Sequence, residues 1–507
     1  MNYWGEYVAF VRGGEKRHAW VMRDPSGGIA CHHIRIGGLS VYFTRLQDVE
    51  PLLPRALTVN YHYVLGYLMY NISCSRETGL NEVSNLLAGE FHDYRDGKLE
   101  SGFCWDPLKL SEQARADEQA EAARLLRDTT RMCVRACASR FDGILHSLSG
   151  GLDSTIVLSC MNGYVPKGRL VCFNGFSPAV DADERKYAHA AAARFGVDLV
   201  ELPSSESVNL QQLGELGRTY SPFPAVGDPT LAKAMVALSH ERDLEARFTG
   251  IGGDEVFFQN GVMPTAVDYA YLHGIRPSVL SIALNDAELR EESVWSVLRT
   301  VARYGRRSRK WSVRDFALAF ERRNLIPDTV RIEARRDRTL WHPLFQQASD
   351  LPPNKVSQAY SITAYSARGH MPDIDPESPA FVAPLLSQPL VELALGLPTH
   401  VLTGRHDREL ARRAFANDLP PEITRRATKS VGGFQLRRIV DQNKAMLREF
   451  LLDGALMEIG YLDRTRTEEA LADHMTPSGS ELMELVDCFE VECWLRSWGV
   501  LACRAAA

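Results

Sequence analysis

The first part of the chain, from Tyr3 to about Val83, consists of short apolar runs separated by glycine and proline. Three of these runs have the β-branched and aromatic composition that is typical of strands. They are residues 7–11, 19–22 and 39–43. The stretches at 13–14 and 25–28 contain the glycine, proline and serine of turns. The pattern predicts a small β-rich domain at the start of the chain.

A helical period follows between Ser111 and about Arg140, where alanine, glutamate, arginine and leucine dominate. Strand-like and helix-like stretches then alternate. The strand-like runs are residues 143–148, 170–173 and 198–202, and the helix-like stretches between them are residues 154–161 and 184–195. This β-α-β-α-β order indicates a parallel sheet covered by helices, because parallel neighbours need a long crossover connection.

The remainder, from about Asp268 onwards, is predicted to be mostly helical, with no internal repeat and no low-complexity linker. A chain of 507 residues with 45% hydrophobic content is long enough for more than one core. We therefore expect an α/β protein of two domains. A small β-rich domain is expected at residues 1–112, and a parallel-sheet domain with a helical C-terminal part at residues 113–507.

Charge and cysteine usage narrow the class of protein. Charged residues make up 24% of the chain and the net charge is −6, without a long block of one sign, so no electrostatic footprint for nucleic acid is present. The ten cysteines include no CxxC pair, which favours a reducing cytoplasm, and the cluster at residues 31–33 lacks a four-ligand zinc spacing. No signal peptide and no apolar run of roughly 18 residues is present. We expect a cytoplasmic protein, not bound to membrane, whose partner is a small molecule or a peptide.

The strongest chemical signal is the loop Leu148-Ser149-Gly150-Gly151-Leu152-Asp153-Ser154, between a strand-like run and a helix. Backbone N–H groups and the helix dipole at such a junction favour an anion. The glycines let the backbone approach phosphate oxygens, the two serines add hydroxyl donors, and Asp153 can hold a magnesium ion. The loop predicts a pyrophosphate-binding site, and the alternative is a plain turn in which Asp153 caps the helix.

A second glycine-rich turn, residues 248–255, follows another strand-like run and carries Asp254. Ligands of open parallel sheets lie outside the carboxyl ends of the strands, so both loops can face one nucleotide. Asp254 is then a second carboxylate for magnesium, and a helix cap is the alternative. Arg169 stands where a Walker loop needs lysine, and residues 250–255 lack the last glycine of a dinucleotide fingerprint. Walker-type phosphoryl transfer and hydride transfer are therefore disfavoured.

Together the two loops resemble the pyrophosphate loop and the second nucleotide loop of the asparagine synthetase superfamily, which includes β-lactam synthetases and lasso-peptide cyclases. The similarity continues through later landmarks and covers roughly residues 115 to 500. These landmarks are residues 384–394, 408–410, 419–423 and 425–429. The resemblance implies a PP-loop fold of the adenine nucleotide α-hydrolase type.

That resemblance also implies the cofactors ATP and Mg²⁺ and a set of site residues. Asp153 and Asp254 would bind magnesium, and Lys429 would stabilise the reacting intermediate, so that these three are the expected catalytic residues. The residues expected to hold ATP are Leu148, Ser149, Gly150, Gly151, Asp153, Ser154, Phe173, Thr249 and Gly250.

Two departures from the superfamily pattern narrow the expected function. Glutamine-using asparagine synthetases resemble one another in a cysteine right after the initiator Met, whereas here Asn2 follows Met1 and the first cysteine is Cys31. An internal Cys31 lacks the free terminal amine of that nucleophile, so glutaminase activity is not expected. Ile251 stands at an acidic position of the asparagine synthetase loop, which argues against a reaction of aspartate with ammonia.

The stretches at residues 4–10 and 23–28 are similar to the degenerate, Ntn-glutaminase-like N-terminal domain of lasso-peptide cyclases. The similarity implies a macrolactam synthetase that adenylates an Asp or Glu side chain of a precursor peptide and joins it to the peptide's N-terminal amine. AMP and pyrophosphate would be released. The implied partners are the precursor peptide, a leader peptidase and a leader-binding protein.

Two alternatives stay open. One is a β-lactam-synthetase-like or asparagine-synthetase-like ligase that acts on a small molecule, and the other is a non-catalytic platform that docks a peptide. The base that deprotonates the attacking amine is also open, with Glu255, Tyr365 and His370 as candidates.

Overall fold

The structure is a computed structural model of the chain. It describes residues 3–14, 18–70, 74–113, 118–176, 184–204, 210, 218–222, 229–259, 261–320, 324–368, 378–426, 433–472 and 478–500. Within these ranges, no helix combines the length and the apolar character that crossing a bilayer requires.

Twelve strands lie in these ranges and form three sheets. They are β1 (Val8–Arg12), β2 (His18–Arg23), β3 (His32–Ile36), β4 (Leu39–Phe43), β5 (Ser84–Asn85), β6 (Glu90–Arg95), β7 (Lys98–Phe103), β8 (Ile144–Ser147), β9 (Leu170–Phe176), β10 (Asp198–Pro203), β11 (Ala246–Phe248) and β12 (Ala380–Val382).

Helices make up most of the remaining structure. They are α1 (Leu46–Val49), α2 (Tyr61–Tyr70), α3 (Pro107–Ser111), α4 (Gln119–Ala138), α5 (Leu152–Met161), α6 (Arg185–Phe195), α7 (Pro229–Arg242), α8 (Gly253–Val256), α9 (Thr265–His273), α10 (Ser278–Leu289), α11 (Val294–Tyr304), α12 (Val313–Phe320), α13 (Asp328–Arg336), α14 (Pro353–Arg368), α15 (Gln388–Gly396), α16 (Thr399–Leu402), α17 (Glu409–Ala414), α18 (Pro421–Thr424), α19 (Gly433–Gln442), α20 (Lys444–Leu452), α21 (Ala455–Glu458), α22 (Arg464–Ala470) and α23 (Gly479–Ser497).

The first hundred residues form two antiparallel sheets, with strand orders β1-β2-β6-β7 and β4-β3-β5. β6 and β7 continue the β-rich region beyond the last predicted run to Phe103, within the residues 1–112 that were expected for the first domain. These two strands form a hairpin whose turn residues, Asp96 and Gly97, have φ values of 52° and 80°. Two consecutive left-handed residues give a two-residue turn the twist that matches the flanking strands.

The predicted parallel sheet is confirmed, with the order β10-β9-β8-β11-β12 and every neighbouring pair parallel. α5 and α6 are the crossover helices of the β8-β9-β10 half. All ten residues of α5 are buried, and this helix packs against α4. β12 was not predicted, and it comes from the region that was expected to be helical.

The largest apolar core joins the N-terminal and C-terminal parts of the described structure. Leu68 and Leu80, from the region predicted as the first domain, belong to the same buried cluster as Ile156 and Leu447. The indole N–H of Trp105 donates a hydrogen bond of 3.2 Å to the Glu392 carboxylate, which adds a polar contact between the two parts. The domain boundary between residues 112 and 113 stays a prediction.

Candidate functional site

A cavity of about 370 Å³ opens between the carboxyl ends of β8 and β11, where the order of the parallel strands reverses. Along the chain, β8 leads to β9 and β10 on one side, and β11 leads to β12 on the other. Open parallel sheets bind ligands at such a switch point, because the loops diverge there and leave a crevice. Both glycine-rich loops line the cavity. Their lining residues include Ser149, Gly151, Asp153, Ser154, Thr249, Gly250 and Asp254.

The first loop is shaped by one glycine and by the start of α5. Gly150 has a φ of 72°, and a Cβ atom at this position would lie 2.6 Å from the backbone nitrogen of Ala188, so only glycine fits. α5 begins directly after the loop, and the hydroxyl oxygens of Ser149 and Ser154 lie 3.2 Å apart beside its first turn. The N-terminus of a helix carries partial positive charge and free N–H groups, so this end of the cavity suits a phosphate-like anion.

The second loop packs directly against the first. A Cβ atom on Gly250 would lie 2.6 Å from the backbone nitrogen of Ser154, and one on Gly253 would lie 2.5 Å from Cγ of Asp153. Distances this short exclude any side chain at either glycine, because backbone or a buried carboxylate would have to move. The close approach brings Asp153 and Asp254 to the same side of the cavity.

Arg408 bridges the two carboxylates. Its Nη1 lies 2.7 Å from Oδ2 of Asp153 and 2.5 Å from Oδ1 of Asp254. Its Nη2 lies 2.7 Å from Oδ2 of Asp407, the preceding residue. Burial disfavours the charged guanidinium, but the charges of Asp153, Asp407 and Asp254 outweigh that effect and raise the pKa of Arg408. The guanidinium between the two acidic residues is therefore always charged.

The pair of carboxylates fits the magnesium ion that the sequence predicts. A single cationic nitrogen in contact with both Asp153 and Asp254 stands in for a metal ion at that point. Among the residues that the structure describes, no group of three or more His, Cys, Asp and Glu could hold a metal. Phosphate oxygens and water would have to complete the shell, as is usual for Mg²⁺ in nucleotide sites.

His146 lies beneath the first loop and was not selected from the sequence. It is fully buried in β8, and its Nε2 donates a hydrogen bond of 2.9 Å to the backbone oxygen of Ser154. Burial lowers the pKa of His146 to about 4, so the ring is neutral at neutral pH. A histidine inside the apolar run 143–148 was the signal that sequence reasoning could have used.

Leu148 and Phe173, two of the predicted ATP residues, do not line the cavity. Leu148 is buried in the main core, and Phe173 of β9 is buried with Val171 of the same strand and Leu145 of β8. The carbonyl oxygen of Leu148 accepts a hydrogen bond of 2.7 Å from the amide of Asn174. Leu148 and Phe173 therefore shape the strands beneath the loop, and any contact with a nucleotide would have to involve their backbone.

Of the four remaining predicted residues, two line the cavity and two lie outside the described part of the chain. Glu255 and Tyr365, two of the proposed bases, line the cavity. His370, the third, and Lys429, the expected catalytic lysine, lie outside the described residues.

Sequence reasoning also missed the basic character of the cavity wall. Arg247, Arg408, Arg412 and Arg426 all line it. Arg408 and Arg426 lie within two of the landmark stretches, residues 408–410 and 425–429, but the resemblance implies no role for either. Four guanidinium groups around one cavity favour an anionic ligand such as a triphosphate.

Comparison with known proteins gives a family match and likenesses to solved structures. A family model described as asparagine synthase matches residues 125–372 and 378–496. No curated protein matches the chain. Among solved structures, the glutamine-dependent NAD⁺ synthetase from Acinetobacter baumannii in complex with ADP has 16% sequence identity and a TM-score of 0.21. The match covers 49% of this chain and 60% of that one, so the chain spans about three fifths of that synthetase.

Proposed function

The chain belongs to the asparagine synthase family, and from this membership we propose that it is an ATP-dependent enzyme that forms amide bonds. One observation carries the proposal at the level of residues. The loops after β8 and β11 touch, and they present Asp153 and Asp254 to one cation at the switch point of the sheet. A cytoplasmic location belongs to the same proposal.

The proposed reaction has two steps. A carboxylate oxygen of the substrate attacks the α-phosphorus of ATP, and pyrophosphate leaves to give an acyl-adenylate. An amine then attacks the acyl carbon, AMP leaves, and a proton is released with formation of the amide. Asp153 and Asp254 would hold Mg²⁺, which supplies charge screening for the phosphates. Ser149, Ser154 and the N-terminus of α5 would bind the leaving pyrophosphate.

The basic wall and the predicted lysine complete the assignment of roles. Arg412 and Arg426 line the same cavity and offset negative charge there. Lys429 stays the predicted cation that stabilises charge developing on oxygen and phosphate during acyl transfer. Glu255 and Tyr365 are the described candidates for the base that takes the proton from the amine.

The substrate that we propose is a precursor peptide, whose Asp or Glu side chain is joined to its own N-terminal amine as a macrolactam. Ile251 supports this choice, because it lines the cavity where the asparagine synthetases have an acidic residue. The aromatic residues Tyr365 and Phe381 line the same cavity and offer apolar area to a peptide. A leader peptidase and a leader-binding protein are proposed partners, as the same resemblance implies.

The burial of Cys31 and the raised pKa of its thiol argue against glutaminase activity. Cys31 is buried beside Val21 and Leu86 in the N-terminal region. Burial raises the pKa of its thiol to about 11, so the thiolate needed for nucleophilic attack is scarce at neutral pH. Ammonia from glutamine is therefore not the proposed nucleophile.

The test is a product assay with a defined peptide. Purified protein is incubated with ATP, Mg²⁺ and a synthetic leaderless peptide that carries a free N-terminus and an internal Asp or Glu, with the sequence of any short precursor found encoded beside the gene. We expect AMP, pyrophosphate and a peptide lighter by one water, with the new bond located by tandem mass spectrometry. The same peptide with an acetylated N-terminus is the matched control, and it should not cyclise.

Other products would replace the proposal. Formation of asparagine from aspartate and ammonia, or ring closure of a small metabolite, would move the chain to another branch of the family. Conversion of ATP to ADP alone would contradict adenylation. Full peptide processing by an Asp153→Ala variant would instead support a non-catalytic docking role.

A further inference from the structure

Arg408 occupies the space that the proposed function gives to a metal ion. Its Nη1 is within 2.7 Å of Asp153 and 2.5 Å of Asp254, and its side chain is 5% exposed. Coordination of Mg²⁺ by the same oxygen atoms would need distances of about 2.0–2.1 Å. A guanidinium nitrogen and a divalent ion cannot both hold these two oxygen atoms, since the two positive charges would be nearly in contact.

We propose that Arg408 is an internal competitor for the divalent cation, so that the cation enters the site together with the nucleotide and not before it. This inference rests on the proposed function, in which Asp153 and Asp254 are the metal ligands. Arg408 is a positioning residue in this scheme, because it acts by occupying or vacating the carboxylates.

Asp407 would still hold the Arg408 side chain after a divalent cation has displaced it from Asp153 and Asp254. Nε and Nη2 of Arg408 contact Oδ2 of Asp407 at 3.0 and 2.7 Å, while only Nη1 contacts Asp153 and Asp254. Arg412 holds the other oxygen of Asp407 at 2.7 Å, which fixes that carboxylate in place. Loss of the two Nη1 contacts therefore leaves Arg408 bound to Asp407 and within the same cavity.

The charges of this cluster explain why the nucleotide is needed. Three carboxylates, of Asp153, Asp254 and Asp407, face the two guanidinium groups of Arg408 and Arg412. A bare divalent ion would turn this small negative excess into a positive one in a nearly buried place. The phosphates of ATP add negative charge, so that the ion and Arg408 are both neutralised when nucleotide is bound.

Binding of Mn²⁺, used in place of Mg²⁺ because it prefers the same oxygen ligands, tests the inference without any catalysis. Free Mn²⁺ is measured by electron paramagnetic resonance in titrations of the full chain, with and without α,β-methylene-ATP. We expect weak binding by the wild type alone and tight binding with the nucleotide analogue. Arg408→Met without nucleotide should bind Mn²⁺ at least about tenfold more tightly than the wild type, as expected if Arg408 fills the site about 90% of the time.

Two further variants keep the test decisive. Arg309→Met removes a positive charge outside the cavity, at a residue whose guanidinium lies over the Trp311 ring, and it should leave nucleotide-free Mn²⁺ binding close to that of the wild type. If Arg408→Met does not fold, Arg408→Lys keeps the charge but loses the fork, and it should bind Mn²⁺ with an affinity between those of the wild type with and without analogue.

Failure of the proposed competition and failure of the proposed function would give different results. If nucleotide-free Arg408→Met binds Mn²⁺ no more tightly than the wild type, or if Arg309→Met gains as much, the competition is refuted while the proposed function stands. If the wild type binds no Mn²⁺ even with the nucleotide analogue, the metal site of the proposed function is refuted, and the competition with it.

Discussion

Replacing Gly250 by alanine tests the contact between the two loops directly. The new Cβ atom would lie 2.6 Å from the Ser154 nitrogen, 2.9 Å from the Asp153 carbonyl carbon and 3.0 Å from Cα of Ser154. Ordinary contacts of a Cβ atom begin near 3.4 Å, so the loops must separate by about 0.8 Å. All three neighbours are backbone atoms, and no side chain can rotate away to relieve the overlap.

This displacement acts on the atoms that would position the phosphates and the cation. A misplacement of about 1 Å in a preorganised site can cost on the order of 10²-fold in rate, so we expect kcat for amide formation to fall by that order. Overpacking should lower the free energy of unfolding by about 1–3 kcal/mol. Steady-state kinetics and thermal unfolding measure the two effects.

Gly479→Ala is the matched control, because a Cβ atom on Gly479 meets nothing within 4 Å. This variant should change neither kcat nor the unfolding temperature appreciably. If Gly250→Ala has the activity and stability of the wild type, the loops are not in contact as described, and the assignment of Asp153 and Asp254 to one cation loses its basis.

Three other predictions concern single side chains. Asp254→Asn removes one of two cation ligands, so the Mg²⁺ concentration for half-maximal activity at saturating ATP should rise at least about tenfold, and an unchanged Mg²⁺ titration would contradict the role. His146 has a pKa of about 4 in the folded protein against 6.5 ordinarily, so the unfolded state binds more protons between these values and stability must fall as pH drops from 6.5 to 4. A difference of one between the folded and unfolded pKa values changes the free energy of unfolding by about 1.4 kcal/mol. His146→Gln should therefore remove up to about 3 kcal/mol of this pH dependence, measured by denaturant unfolding. Identical pH profiles of the variant and the wild type would refute the assignment. Cys31→Ala should keep full amide-forming activity and lose about 1 kcal/mol of stability, whereas loss of a glutamine-dependent reaction would show that Cys31 is a nucleophile.

The parallel sheet and its two loops could be predicted because local pattern and function coincide there. Buried parallel strands are largely apolar runs, such as residues 143–148, and the glycines that follow this run are typical of a loop that approaches an anion. The β6–β7 hairpin has an equally local signal, the turn dipeptide Asp96-Gly97, which a search for apolar runs does not detect. The helix α2 was harder to predict, because seven of its ten residues are buried and its apolar pattern has no polar face.

Other features depend on contacts between distant parts of the chain. Arg408 and Asp153 are 255 residues apart, and no local pattern around Arg408 indicates that its guanidinium reaches the first loop. β12 has only three residues, Ala380–Val382, and it is a strand because β11 provides a partner. The expected role of Lys429 rests on the order of the landmarks alone.

The position of β12 at the sheet edge has a consequence for synthesis of the protein. Ala246 of β11 pairs with Ala380, so the outer edge of β11 has no partner until about 130 further residues have left the ribosome. Contacts of such high sequence separation form slowly and leave strand edges available for wrong pairing in the meantime. Truncation before residue 380 is therefore expected to give a nascent chain that aggregates, and recombinant yield should depend on chaperones that shield this edge.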